Sequence, residues 1–147
     1  MARCGDVMTR EPVCCEPADS IPRIAQLMKS EDVGALPVVE SKTSRKVVGI
    51  VTDRDIVARV VADGKTVEKA TARDAMTNNP TTCREDDDVT QAVARMAERK
   101  VRRIPVVDGN GALQGIIAQA DIATRVHRDT TTGELVEAIS EPGTVRK

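Results

Sequence analysis

The spacing of apolar residues changes in a fixed order along the chain, and the same order occurs twice. Ile21, Ile24, Ala25 and Met28 follow the i, i+3, i+4, i+7 pattern of a helix with one buried face. Asp19 or Ser20 stands where a cap belongs, and Pro22 falls in the first turn, where its missing N–H goes unnoticed. The apolar run ALPVV follows, then the polar ESKTSRK, then VVGIVT. That last run is apolar throughout, which predicts a strand buried on both faces. A second helix pattern opens at the aspartates of TDRDI and runs through DIVARVVADG, with Gly64 as its C-cap. Further on, Asp87 or Asp88 caps a stripe of Val89, Ala92, Val93, Met96 and Ala97. The strand RIPVV, the hairpin signal DGNG, the strand LQGIIA and a helix opening at QADI complete the second round.

The two rounds are copies. DVMTREPVCCEPADSIPRIAQLMKSEDVGALPVVE begins at Asp6, and DAMTNNPTTCREDDDVTQAVARMAERKVRRIPVVD begins at Asp74. Met8 matches Met76, Thr9 Thr77, Pro12 Pro80, Cys15 Cys83 and Pro37 Pro105, each 68 positions apart (105 − 37 = 68). Gly49 then matches Gly115 and Asp55 matches Asp121, 66 apart (121 − 55 = 66), so the first copy carries two extra residues within ESKTSRK. Such insertions belong in loops. One long period occurring twice reads as a duplicated small domain, not a solenoid. The pattern therefore predicts an α/β (α+β) protein of two tandem β-α-β-β-α repeats. Residues 6–64 form the first domain, 65–73 a linker and 74–129 the second domain; 130–147 is a tail with GELVEAI as a short helix.

Composition narrows the chemistry. Twenty-two Lys and Arg against 23 Asp and Glu leave a formal net charge of −1 across 147 residues, with no general pull toward nucleic acid or anionic membrane. There is no Phe, Trp or Tyr, so the core must be aliphatic and no aromatic platform exists for stacking bases. No apolar run approaches the ~20 residues of a membrane span, and MARCGDVMTREP has no apolar core of a secretory signal. The expected setting is a reducing cytoplasm. Cys4, Cys14, Cys15 and Cys83 form no C-x-x-C pair, and His127 lies far from them in sequence, so they read as buried thiols, with no metal site expected. His127 reads as a surface residue. No nucleophile–base pair and no Gly-x-x-x-x-Gly-Lys loop is present, which argues against catalysis by this chain.

The charge at Thr52-Asp53-Arg54-Asp55 admits two readings. In one, Thr52 and Asp55 form a capping box and the carboxylates favour the positive end of the helix dipole. In the other, the acid has a second duty, because the second copy reads GIIAQADI: Ala118 cannot cap, yet Asp121 persists. A carboxylate suits the adjacent hydroxyls of a ribose. The helix start would offer N–H groups to phosphate, and Arg54 would add charge.

The residues VMTREP and AMTNNP, DVGALPVV and KVRRIPVV, GIVTDRDI and GIIAQADI lie in register over residues 6–127. With them the chain resembles a tandem pair of cystathionine-β-synthase (CBS) domains, a Bateman module of the stand-alone bacterial type. The resemblance implies repeats packed with pseudo-twofold symmetry and two clefts, each able to take an adenosine compound such as AMP, ADP or ATP. Carried over by position, it implies one set of Thr77, Thr82, Val101, Arg103 and Ile104 with Thr52, Arg54 and Asp55. The other set is Thr9, Cys14, Val33, Ala35 and Leu36 with Asp121. The second set departs from the pattern at Ala118 and has Gln119 and Ala120 in place of Asp53 and Arg54. Val33 and Val101 would cover adenine or pack in the core. Arg102 and Arg103 would meet phosphate or blunt a strand edge. The implied function is a regulatory sensor that needs no cofactor and acts on an effector protein not named by the sequence. A scaffold with empty clefts is the alternative. A homodimer is expected, because Ile56, Val57, Val60 and Val61, echoed by Ile122, Ala123 and Val126, span more than one buried stripe.

Overall fold

The computed structural model describes residues 2–125, with side chains through residue 122. In chain order the elements are α1 (Cys4–Val7), β1 (Thr9–Arg10), α2 (Ile21–Glu31), β2 (Ala35–Val39), β3 (Val47–Thr52) and α3 (Asp53–Ile56). A π-helical stretch, Val57–Val61, continues α3, and a 3₁₀ turn spans Val67–Lys69. Then come α4 (Ala72–Ala75), β4 (Thr77–Asn78), β5 (Cys83–Arg84), α5 (Val89–Arg99), β6 (Arg103–Val107), β7 (Leu113–Ala118) and α6 (Gln119–Arg125). Helices and two sheets together make the fold α+β. His127, Val126 and the tail helix expected at GELVEAI lie outside the described residues.

Two compact units form. The copy-one unit holds Pro12–Pro80 with Gly111–Leu113; of the described residues, the copy-two unit holds 2–11, Thr81–Asn110 and 114–125. In the copy-one unit the strand order is β2-β3-β4, antiparallel throughout, with Ala35 opposite Thr52 and Ile50 opposite Thr77. In the copy-two unit the order is β1-β7-β6-β5, with β1 antiparallel to β7 (Thr9 opposite Ile116) and β5 parallel to β6 (Cys83 opposite Val106). The opening helix and strand of each sequence copy thus complete the sheet built by the other copy.

Glycine permits that exchange. A Cβ placed on Gly115 would stand 2.5 Å from Met8 Sδ and 2.8 Å from the Thr9 carbonyl oxygen. At Gly49 the equivalent contacts are 3.0 Å to Met76 Sδ and 2.9 Å to the Thr77 carbonyl oxygen. The Met-Thr pairs at the entry to β1 and β4 lie directly on the glycines of β7 and β3, so a side chain there would push the added strand off.

Each unit has its own aliphatic core. Ile21, Ile24, Met28, Leu36, Val38, Val51 and Val60 are buried together in one, and Val89, Val93, Met96, Ile104, Val106, Ile117 and Ile122 in the other. The caps are Ser20, whose Oγ accepts from Arg23 N at 3.3 Å, and Asp88, boxed with Gln91. Asp19 and Asp87 instead close the preceding turns, accepting from Glu16 N and Arg84 N. Stretch 65–73 is packed: Ala70 and Ala72 are buried with the copy-one core.

Three expectations are corrected. Ala25 is exposed, because α2 buries only the narrower stripe Ile21, Ile24 and Met28. VVGIVT is not buried on both faces, and its counterpart LQGIIA is not either. They alternate between buried and half-buried positions, since β4 and β1 cover only part of each. The helix after Asp55 is α-helical for four residues and then widens, with Ala62 N bonded back to Val57 O at 2.8 Å, before Gly64 at φ +74° ends the turn.

Candidate functional site

The strand-to-helix junctions have the same construction in both units. In the copy-one unit Thr52 sits in extended conformation (φ −116°, ψ 164°) at the end of β3. Its Oγ1 accepts from Asp55 N at 3.0 Å, and Asp55 Oδ2 accepts from Thr52 N at 3.0 Å. This is a complete capping box. Asp53 Oδ1 accepts from Arg54 N at 2.8 Å, and Asp53 N donates to the Gly34 carbonyl at 2.9 Å. The first three helical N–H groups are therefore satisfied inside the protein. The expectation that this helix start offers N–H groups to phosphate is corrected: the Gly34 carbonyl and the side chains of Asp53 and Thr52 already hold them. Arg54 is exposed at the junction's surface beside Asp53, which is exposed too.

At the copy-two junction Asp121 Oδ2 accepts from Ala118 N at 2.9 Å, and Gln119 N donates to the Arg102 carbonyl at 3.0 Å. Half of the capping box thus survives without a threonine. The inference that an acid beside Ala118 must have a second duty is corrected, because an N–H needs an acceptor whether or not the preceding side chain can cap. Asp55 and Asp121 are both half-buried. Each carboxylate spends Oδ2 on the backbone, a fraction of its acceptor capacity.

The carbonyls of Gly34 and Arg102 were not legible as site groups. They tie each junction to the turn before β2 or β6, and the sequence signal is only their matching position (102 − 34 = 68). Beside them stand Val33 and Val101, 39% and 36% exposed. Neither is an ordinary core valine. The neighbouring helix ends adopt left-handed backbone at Asp32 (φ 55°) and Lys100 (φ 58°).

The residue sets drawn from the resemblance divide between the units. Thr52, Arg54, Asp55 and Thr77 belong to the copy-one unit, as do Cys14, Val33, Ala35 and Leu36; Thr9, Thr82, Val101, Arg103, Ile104 and Asp121 belong to the copy-two unit. Within the first, Ala35 lies opposite Thr52 and Thr77 opposite Ile50. Leu36 and Ile104 are wholly buried, so their side chains serve the cores. Cys14 is buried with Val39 and Leu113, and Arg45 Nη1 approaches its Sγ at 3.9 Å. The Thr82 carbonyl accepts from Arg95 Nη1 at 2.9 Å. Thr9 and Thr77 are exposed. Arg103 opens β6, which lies between β7 and β5 and so is not an edge strand; β5 reaches only Val106 and Val107, leaving the arginine end with one neighbouring strand.

All four cysteines are buried thiols. Cys15 is pushed up to about 12, by burial first and then by the Asp19 charge. Cys4 and Cys83 share a hydrogen bond that lowers Cys4 and raises Cys83. Among the described residues no cluster of His, Cys, Asp and Glu could hold a metal ion. No helix among them is long and apolar enough to cross a membrane.

Two matched junctions on exchanged α+β halves define a duplicated small-domain module. The family model of the CBS domain matches residues 4–62 and again 72–128, and the chain belongs to that family. Over 142 residues it is 37% identical to the uncharacterized protein YlbB of Bacillus subtilis, covering 96% of this chain and 93% of that protein. It is 36% identical over 118 residues to the uncharacterized protein MK0525 of Methanopyrus kandleri, of whose length it spans 59%. Among solved structures, CBSX2 in complex with AMP superposes with a TM-score of 0.75 at 28% identity, over 87% of this chain and 98% of that one. The CBS domain pair of MJ0100, in complex with 5′-methylthioadenosine and S-adenosyl-L-methionine, gives 0.77 at 25% identity over 88% and 99%. Hypoxic Response Protein I, with two coordinated zinc ions, gives 0.74 at 31% identity over 83% and 97%.

Proposed function

We propose that the chain is a regulatory module that binds an adenosine-containing ligand and catalyses no reaction. The observation that carries this reading is the pair of junction carboxylates, Asp55 and Asp121, each fixed through one oxygen by a backbone N–H. A carboxylate held in that way is an acceptor set in place before a ribose diol arrives. Each unit also leaves a valine uncovered, Val33 or Val101, as apolar surface for a flat base. The AMP and 5′-methylthioadenosine complexes of related folds support the same ligand class. The residue sets given by the resemblance are proposed as the ligand contacts, with Leu36 and Ile104 acting through their backbone. Arg54 marks the Asp55 site as the one suited to phosphate.

Regulation would follow from differential affinity: a ligand that prefers one arrangement of the chain shifts the population an effector protein meets. Self-association is proposed through Val57 and Val61, 59% and 56% exposed on the π-helical stretch. Among the described side chains the wider face expected there reduces to these two, because Val60 and Ile122 are buried and Ile56 packs on the copy-one core, while the side chains of Ala123 and Val126 lie outside the description. Sedimentation as a monomer at tens of micromolar would remove the dimer.

The scaffold reading draws support from one feature: both acids already have a structural duty. Calorimetric titration with AMP, ADP, ATP and S-adenosylmethionine separates the two. A ligand present at about 100 times its Kd stabilises the fold by about 2.7 kcal/mol. Absence of both heat and thermal shift across that panel would leave the scaffold reading in possession.

A further inference from the structure

We propose that Cys4 and Cys83 form a dithiol that a hydroperoxide oxidises to an intrachain disulfide, locking the amino-terminal segment onto the copy-two unit. The proposal is independent of the ligand reading and concerns a site that reading does not use.

The two thiols come from opposite ends of the exchange. Cys4 opens α1, the short helix before β1, and Cys83 lies in β5 beside Val106. Both are buried in the same core, with Val7, Met8 and Met96 among their neighbours. The backbone already binds the two segments: Cys4 N donates to the Asp87 carbonyl at 2.8 Å and Gly5 N to the Glu85 carbonyl at 3.0 Å. Arg3 and Asp88 form an isolated antiparallel bridge, and Cys4 Sγ lies 3.7 Å from the Asp88 carbonyl oxygen. The segments are thus aligned side by side at the thiols.

The pair is also chemically unequal. The hydrogen bond from Cys83 lowers Cys4, and the Arg95 charge acts in the same direction against burial and the charges of Asp87 and Asp88. Cys83, the donor, is raised, first by that bond and then by burial. Cys4 is therefore the attacking thiol and Cys83 the resolving one. The Cys4 thiolate takes one oxygen of the peroxide, the O–O bond breaks, and the departing oxygen leaves as water or alcohol after gaining a proton. Cys4 is then a sulfenic acid. Cys83 gives up its proton, its sulfur attacks the Cys4 sulfur, and the hydroxyl leaves as water. Two thiols lose two electrons and the peroxide gains them. Access comes from local opening of α1, a helix of only four residues.

The crosslink would close a loop containing the whole Pro12–Pro80 segment, so both of its ends would be anchored on one unit. Closing so long a loop constrains the unfolded chain strongly.

The test treats reduced full-length protein with hydrogen peroxide, blocks remaining thiols in denaturant and maps tryptic peptides. Trypsin puts Cys4 in CGDVMTR, Cys14 and Cys15 in EPVCCEPADSIPR, and Cys83 in DAMTNNPTTCR. The expected result is loss of two of the four free thiols and a joined CGDVMTR–DAMTNNPTTCR species lighter by two hydrogens. In Cys83→Ala, Cys4 should halt at the sulfenic acid and be captured by a dimedone-type reagent. If that variant does not fold, the wild-type map still decides. Recovery of both peptides as free thiols at peroxide levels that oxidise Cys14 or Cys15 would overturn the proposal. Joining of either peptide to EPVCCEPADSIPR would do the same.

Discussion

Gly115→Ala tests whether the exchanged strand holds the copy-two unit together. The new methyl would stand 2.5 Å from Met8 Sδ, 2.9 Å from Met8 Cγ and 2.8 Å from the Thr9 carbonyl oxygen. Ordinary contact for a Cβ begins at 3.4 Å. Met8 is buried, which leaves its thioether little room to swing aside, and the carbonyl is backbone. The clash must be relieved by moving β1, which pairs with β7 at Thr9 opposite Ile116 and Arg10 opposite Gly115, with Glu11 N donating to the Gln114 carbonyl just beyond. Overpacking of this kind costs about 1–3 kcal/mol. Reduced freedom of the unfolded chain returns about 0.4–1 kcal/mol. The net expectation is a loss of about 1–2 kcal/mol.

Gly49→Ala is the internal control. Its closest contacts are 2.9 Å to the Thr77 carbonyl oxygen and 3.0 Å to Met76 Sδ, so it should lose less. Urea unfolding followed by far-ultraviolet circular dichroism measures both, since a chain with no Trp, Tyr or Phe gives no useful intrinsic fluorescence. Hydrogen exchange adds the location: Gly115→Ala should deprotect Cys4–Arg10 while leaving α2 unchanged. A Gly115→Ala protein as stable as the parent, or one in which Gly49→Ala loses more, would refute the claim that these glycines exist for the crossing strands.

Two further outcomes follow from the junctions and the cysteines. Thr52→Ala removes an observed cap and should lose about 1 kcal/mol, whereas Ala118→Thr supplies the missing half of the second box and should gain about 0.5–1 kcal/mol in the same urea assay. Cys15, raised from 9.0 to about 12 by burial, stays a neutral thiol in the fold while the unfolded thiol ionises. Its contribution is full below pH 9 and is lost as pH rises toward 12, at about 1.4 kcal/mol per pH unit and about 4 kcal/mol in all. Cys15→Ala should therefore show a shallower fall in stability between pH 9 and 11 than the parent, and equal slopes would count against it.

The duplication was legible because it is written in side chains: paired prolines, methionines and acids at a constant offset. The helix stripes were legible for the same reason, apart from Ala25, whose small side chain carries little preference for either face. The exchange of β1 and β4 was not legible. Two-residue strands have no periodicity, and nothing in VMTREP says which sheet it joins; only the matched glycines record it, and a glycine in a strand has several explanations. The π-helical widening at Val57–Val61 was hidden because VARVV reads equally well as α-helix. At the junctions the residue types were legible, but the bonding was not. Whether Asp121 still served a cap depended on the geometry of Ala118 N, a backbone group invisible in the sequence. The Cys4–Cys83 contact joins residues outside the repeat register, since position 72, where a partner of Cys4 would fall, is alanine.

That double employment of the junction acids decides how the ligand reading must be tested. Asp55→Ala would remove the Oδ2 that accepts from Thr52 N and the oxygen proposed for ribose together, so lost binding could follow from a frayed helix start. Asp55→Asn separates the two. Its amide oxygen can still accept from Thr52 N, so the box survives. The loss is the favourable charge at the helix start, about 0.3–1 kcal/mol. For a diol the change is larger: one of two acceptor oxygens becomes a donor and the charge that strengthened both bonds is gone. Losing a charged acceptor costs about 1.5–3 kcal/mol, or about ten- to a hundred-fold in Kd. Asp121→Asn should cost less affinity, because Ala118 and Ala120 stand where the Asp55 junction has Thr52 and Arg54. Titration and urea unfolding on the same preparations give the two numbers. Affinity lost at Asp55 with stability nearly intact supports the ribose assignment. Affinity and stability falling together by the same amount, or affinity unmoved in a protein that binds nucleotide, would return both aspartates to capping alone.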